Sequence, residues 1–223
     1  MAPPDEAGAR APAGPEHADA VAAALGPVLA RILDADDATT GGGSAAALSG
    51  AMAAGLLGMV ARLSLGKGLT LGDQRYRGCV AEAAELRDAL AEGAAADAAA
   101  YSLIRAAYSL PKGDEDEKAA RQAAVQAALI AAATVPRDNA HRAARVLDLC
   151  RELSGRSNDA AASDLAVALE LARVAVLGAA ANIDVNVAGM KGVPAAEVLL
   201  AEAEDLRRHA AAPPASASSN REA

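Results

Sequence analysis

Apolar residues recur every three or four positions along almost the whole chain, and alternation with period two is nearly absent. β-Branched residues are sparse, and Ala, Leu, Glu and Arg fill long windows between Gly and Pro punctuation. This is helix composition, so the pattern predicts an all-α fold. A first helix is expected over about Ala18 to Asp36, with Val21, Leu25, Val28, Ile32 and Leu33 on one stripe and a bend at Gly26-Pro27. A second runs from Ser44 to about Leu65 and stops at Gly66-Lys67-Gly68, and a third, the longest, spans Asp73 to about Leu110. The acidic run Asp114 to Glu117 suits the positive end of a fourth helix reaching Ala133. Pro136 suits the first turn of a fifth that ends near Leu153. A sixth is expected over about Ala160 to Met190 and a seventh over Pro194 to about Ala210. Six or seven helices with short connections predict an antiparallel bundle over residues 17–211, with disordered tails at 1–16 and 212–223.

Composition narrows what such a bundle does. Three tyrosines with no Phe or Trp leave few rings for stacking bases, and a net charge of -8 has the wrong sign for a phosphate backbone, so no nucleic-acid partner is expected. The first residues carry Pro, Gly and acids where a signal peptide would need a basic start and an apolar run. Ser44 to Val60 is free of charge, but it is short and rich in Ala, Gly and Ser, so it reads as a buried helix and not as a membrane span. Cys79 and Cys150 form no paired motif, which fits a reducing, cytoplasmic location. Alanine at many facing positions buries little area per residue, and a self-complementary helical interface would add more, which points to a homodimer.

Three polar groups stand out. Leu86, Leu90, Ala94, Asp97, Tyr101, Ile104 and Tyr108 follow helical spacing, so one acid interrupts an apolar stripe and is expected to face the core. Such a carboxylate is paired, neutralised or used chemically, and a hydrogen bond to a neighbouring helix end would explain it as well as catalysis. Gly41-Gly42-Gly43-Ser44 opens the small-residue helix with unobstructed backbone N–H groups, suited to an anion or carbonyl, although a tight-packing cap explains it too. It lacks the pattern of a phosphate loop or of a serine-hydrolase elbow. The third group, Asn158, Ser163 and Asp164 with Asn182, Asp184 and Asn186, lies at the two ends of the sixth helix. Asp164 and Asn182 are about 27 Å apart at 1.5 Å per residue, so one small ligand in one subunit cannot touch both. His141 is alone in the body of the chain, and no metal-ligand spacing exists.

In their order, these segments resemble the cyclodeaminase/cyclohydrolase family: the C-terminal domain of formiminotransferase-cyclodeaminases and the stand-alone methenyltetrahydrofolate cyclohydrolases. The resemblance spans about residues 20 to 190. It rests on Gly41 to Ser44, Met59-Val60, Gly66-Lys67, Asp97 to Tyr101, Leu110-Pro111-Lys112, Val135-Pro136, Asn158, Ser163-Asp164, Asn182 and Asn186. Thr40 stands where the family commonly has Pro, Ala95 where it has the first of two acids, and one Lys67 where it has a basic pair. The resemblance implies an all-helical homodimer that takes a reduced folate as substrate without a prosthetic group or metal. Asp97 would be the acid-base group. Gly41, Gly42, Gly43, Ser44, Lys67, Asn158, Ser163, Asp164, Asn182 and Asn186 would be substrate contacts, Lys67 reaching for the glutamyl carboxylates. The implied reaction is hydrolysis of a methenyl bridge in one-carbon metabolism. Ring closure with loss of ammonia, the cyclodeaminase reaction, and a non-catalytic folate-binding or partner-binding dimer are the alternatives.

Overall fold

The computed structural model describes residues 39–190 and 192–213 and, before them, Pro27, Ala30, Arg31, Ile32, Asp34 and Asp36. Pro27 and residues 30–32 have helical backbone. The rest of the expected first helix lies outside the described residues, as do the expected tails apart from Ala212 and Pro213. From Thr39 onward the described residues form one compact unit. It contains α1 (Gly42–Leu63), α2 (Gly72–Tyr108), α3 (Glu115–Leu153), a short 3-10 turn (Asp159–Ala161), α4 (Ala162–Ala188) and α5 (Pro194–Ala211).

The helices start and stop where local chemistry dictates. Gly66 and Gly155 have positive φ of 69° and 68° just beyond α1 and α3, a conformation that a Cβ disfavours. The Asp114 carboxylate accepts from Glu117 N at 2.8 Å and Glu117 Oε2 accepts from Gly113 N at 2.6 Å, so reciprocal side-chain caps open α3. Glu115 and Asp116 join Glu117 in its first turn, on the positive end of the helix dipole.

Pro136 corrects the expected count, because it lies inside one continuous α3 and does not begin a new helix. A proline has no N–H to give to the carbonyl four residues back, which here is Ala132 O. Asn186 Nδ2, from α4, donates to that same carbonyl at 2.9 Å. A side chain from the neighbouring helix therefore supplies the hydrogen bond that proline removes.

Contacts between helices fix the topology. Moving forward on α1, Ser44 meets Ala94 and Asp97, Gly50 meets Leu90, and Gly58 meets Ala83, so α1 and α2 are antiparallel. The pairs Glu82–Arg145 and Arg75–Glu152 set α3 against α2 in the same sense. Leu129 beside Gly189 and Ala132 beside Asn186 do so for α3 and α4. Ala46 beside Gly178 and Gly42 beside Asn182 close the ring between α4 and α1. The result is an up-down-up-down four-helix bundle with α5 laid on α3 and α4. A Cβ on Gly178 would fall 2.9 Å from Ala46 Cβ, so the α1/α4 seam depends on glycine there.

Leu57, Val60, Tyr76, Cys79, Leu90, Leu147, Leu153 and Val176 fill the main core. A second cluster, with Val125, Leu129, Ile183, Val187 and Leu199, fills the other end, under α5. Both cysteines are free and buried. His141 is exposed and pairs with Glu202 of α5, while His209 of α5 pairs with Asp148. Among the described residues two segments, Gly42–Leu63 and Asp159–Ala188, are long and apolar enough to cross a membrane by length and composition, one more than the sequence reading singled out. Both turn their inner faces into the bundle core.

Candidate active site

The first turn of α1 has no acidic residue and Gly41, its N-cap, offers no side chain, so the helix does not satisfy its own leading N–H groups. Asp97 of α2 serves that end instead. Ser44 Oγ donates to Asp97 Oδ2 at 2.9 Å and lies 3.1 Å from Ala94 O. Gly43 makes this approach possible: a Cβ there would lie 2.3 Å from Asp97 Oδ1. At Gly42 a Cβ would meet only Asn182 Nδ2, at 3.7 Å, an ordinary contact. The three glycines are thus unequal, and Gly43 is the one the carboxylate requires.

Asp97 is half-buried, which corrects the expectation that it faces the core. Leu90 and Ala94 before it are buried, but Tyr101 and Tyr108 after it are exposed, since α1 begins opposite Asp97 and leaves the remainder of α2 without that neighbour. Burial pushes the Asp97 carboxyl above its ordinary value, and hydrogen bonds from the Ser44 side chain and backbone pull in the opposite direction. A carboxyl so placed, partly exposed beside the start of α1, can hold a proton or release it to a ligand bound there.

The fold gathers some of the sequence-derived residues here and separates others. Gly41, Gly42, Gly43, Ser44, Asp97 and Asn182 belong to this end. Asn182 Nδ2 donates to Gly178 O of its own helix at 2.8 Å, beside Gly42. Asn186 lies one turn further on but serves the carbonyl opposite Pro136. Lys67, Asn158, Ser163 and Asp164 sit at the opposite end, about 29 Å from Ser44 at 1.5 Å per residue of α1. Asn158 is a structural joint: its N–H donates to Ser64 Oγ, its Nδ2 to Leu63 O, and its Oδ1 caps the 3-10 turn. Lys67 and Ser163 are exposed and Asp164 is half-buried.

Sequence reasoning missed Asn139. It is buried on α3 and fits against Gly93, one turn before Asp97, where a Cβ would fall 2.0 Å from Asn139 Oδ1. That oxygen accepts from Arg142 Nη1 at 3.1 Å. The available signal was Gly93, a glycine with no other purpose inside a long helix.

The sequence profile of the family described as formiminotransferase-cyclodeaminase matches residues 27–205. The chain belongs to that family. A methenyltetrahydrofolate cyclohydrolase from Methylorubrum extorquens is 38% identical over 175 residues, covering 78% of this chain and 84% of that protein. The formimidoyltransferase-cyclodeaminase of Gallus gallus is 31% identical over 175 residues, of which this chain spans only 32% of the length. A crystal structure of formiminotetrahydrofolate cyclodeaminase from Thermotoga maritima superposes with a TM-score of 0.73 at 25% identity, covering 83% of this chain and 89% of that one. The all-helical fold of this formiminotransferase-cyclodeaminase relative is therefore shared with a solved structure. Among its described residues no group of three or more His, Cys, Asp or Glu is placed to hold a metal ion.

Proposed function

We propose that this chain is a cytoplasmic methenyltetrahydrofolate cyclohydrolase that opens the methenyl bridge of a reduced folate to give formyltetrahydrofolate. The observation that carries the chemistry is Asp97, a half-buried carboxyl hydrogen-bonded to Ser44 beside the start of α1. Hydrolysis adds water to a cationic amidinium carbon and then needs a proton on the ring nitrogen that departs. As a carboxylate, Asp97 attracts the cation and takes the proton from the attacking water. As an acid it returns that proton to the leaving nitrogen. The N–H groups at the start of α1, bared by Gly41 to Gly43, face the same end and suit a carbonyl or carboxylate of the substrate. The 38% identity to a methenyltetrahydrofolate cyclohydrolase, against 31% and 25% to the two cyclodeaminases, supports hydrolysis over the cyclodeaminase reaction, which needs a formimino group as its starting point.

A homodimer accompanies this reading, supported by apolar side chains left exposed on the outer faces of α1 and α4, among them Met52, Met59, Val167 and Val174.

The purified chain is expected to accelerate the loss of methenyltetrahydrofolate absorbance, and binding without turnover would identify a folate carrier instead. The glycine geometry gives a paired test in the same assay. Gly43→Ala forces a Cβ onto the Asp97 carboxylate and should lower turnover about tenfold or more, the penalty of shifting a positioned catalytic group by an ångström or so. Gly42→Ala should remain within about twofold of the parent. Equal effects from the two variants would show that the loop acts only as a helix start.

A further inference from the structure

Beyond the start of α1 the other helices of the bundle continue without it. From Asp97, which meets Ser44, α2 runs on to Tyr108, about 16 Å further at 1.5 Å per residue. Between the ends of α2 and α4 and the flank of α3 lies a cavity of about 550 Å³, within the range of small-molecule sites. Lys112, Lys118 and Arg121 line it, together with Tyr108 and the amides of Gln122 and Gln126, over a floor that includes buried Val125. Among the described residues no Asp or Glu contributes to the lining, in a chain whose net charge is -8.

Local needs do not consume this positive charge. α2 and α4 both end here, and each C-terminus carries about half a negative charge. Arg121 answers one of them: its Nε and Nη2 donate to Tyr108 O at 3.2 and 3.0 Å, and its guanidinium lies 5.4 Å from the centre of the Tyr108 ring. Those contacts leave Nη1 unused and fix the guanidinium, so little side-chain freedom is lost when an anion binds it. Lys118 pairs with Glu115, whose side chain is 90% exposed, and a pair so solvated is worth little. Lys112 is exposed and has no ion-pair partner among the described residues, although the acidic run Asp114 to Glu117 follows it directly. Those acids serve α3 instead. Asp114 accepts from Glu117 N, Glu117 from Gly113 N, and Asp116 is exposed outside the lining. Three cations set against Glu115 and about one unit of charge from the two helix ends leave the cavity positive.

A free ammonium, a weakly paired one, a fixed guanidinium and two amides make a set of donors suited to several anionic oxygens at once. We propose that this cavity binds a small polyanion, a molecule with two or more closely spaced carboxylate or phosphate groups. A free metabolite and the glutamyl end of a folate held at Asp97 carry that chemistry alike. The existence of the site does not rest on the folate reading; only the second of these sources does.

Calorimetric titration with inorganic pyrophosphate and with γ-linked triglutamate tests the site. At least one probe should bind the parent at low ionic strength and weaken as salt is added. Lys112→Ala/Lys118→Ala, which changes two exposed side chains, should lower that affinity about tenfold or more with circular dichroism unchanged. Arg77→Ala removes an exposed charge about 46 Å away along α2 and should stay within about twofold of the parent. Failure of both probes to bind the parent overturns the proposal. So does binding that survives the double variant, which would place the anion elsewhere, and so does an equal loss in Arg77→Ala, which would mean diffuse attraction only. Turnover then separates the sources. If the cavity holds the glutamyl end, the double variant should raise KM for triglutamyl methenyltetrahydrofolate with kcat unchanged. If it holds a separate molecule, pyrophosphate should bind equally well in the presence of saturating folate. A parent without cyclohydrolase activity would overturn the folate reading and leave the calorimetry to judge the cavity.

Discussion

Asp97→Asn should lower turnover of methenyltetrahydrofolate by about a hundred- to ten-thousandfold, the range for removing a positioned acid-base group, with circular dichroism unchanged. The amide preserves the shape and can still accept from Ser44, but it cannot take a proton from water. The same residue sets two pH dependences. Catalysis needs the carboxylate, so kcat/KM should fall as pH drops through a value raised above the ordinary Asp range by burial. Ser44 hydrogen bonds favour the carboxylate, so Ser44→Ala should move this acid limb to higher pH. Stability runs the other way. With its carboxyl raised on folding, the folded chain holds more protons than the unfolded one between the ordinary Asp value, about 3.9, and the raised value. Its stability contribution is full below that window and is lost as pH rises through it. Asp97→Asn removes the dependence, so the variant should gain on the parent in urea titrations at neutral pH and lose that advantage in acid. A variant that hydrolyses the substrate within a few-fold of the parent would make Asp97 solely the cap of α1, and Asp164 the next carboxyl to test.

The second large effect concerns Asn186 and Pro136. Asn186→Leu removes the donor to Ala132 O, a carbonyl in a buried stretch of α3 that proline has already deprived of its helical partner. An unsatisfied buried acceptor costs about 1–3 kcal/mol, which should appear as a lower urea midpoint with an unchanged m-value. Pro136→Ala restores a backbone N–H at the position that reaches Ala132 O. Asn186→Leu should therefore cost much less in a Pro136→Ala background, and a double-mutant cycle measures the difference. Additive effects would mean that Asn186 acts on something other than that carbonyl.

This pair also shows where sequence reading stops. The breaks at Gly66 and Gly155, the acidic start of α3 and the start of α1 near Ser44 were all legible, because each is decided by backbone chemistry within a few residues. Pro136 looked like a helix start by the same local rule. Its continuity depends on an amide fifty positions away in the chain, which no window reveals. Asp97 stood out because it interrupts an apolar stripe, and its proximity to Ser44 follows from antiparallel pairing of two helices joined by a short turn. Its half-exposure was hidden, since it depends on where α1 begins beside it. Asn139 left only an indirect trace in the sequence, Gly93, which lies on a different helix. The separation of Lys67 and Asp164 from Asp97 follows from helix rise alone and could be computed in advance.

The ring of four helices closes through one seam unlike the others. α1 with α2, α2 with α3, and α3 with α4 are neighbours in sequence and pair as hairpins, so each needs only a short loop to close. The α1/α4 seam joins segments from opposite ends of the bundle's sequence, Ala46 with Gly178 and Gly42 with Asn182, and closes the longest loop of the ring, at the largest single loop-closure cost. Contacts of that kind form late in folding and open early under native conditions. In native-state hydrogen exchange, the amides of α1 should thus lose protection in sub-global openings that leave the α2/α3 hairpin closed, and protein concentration should slow those openings if a second copy lies across the seam.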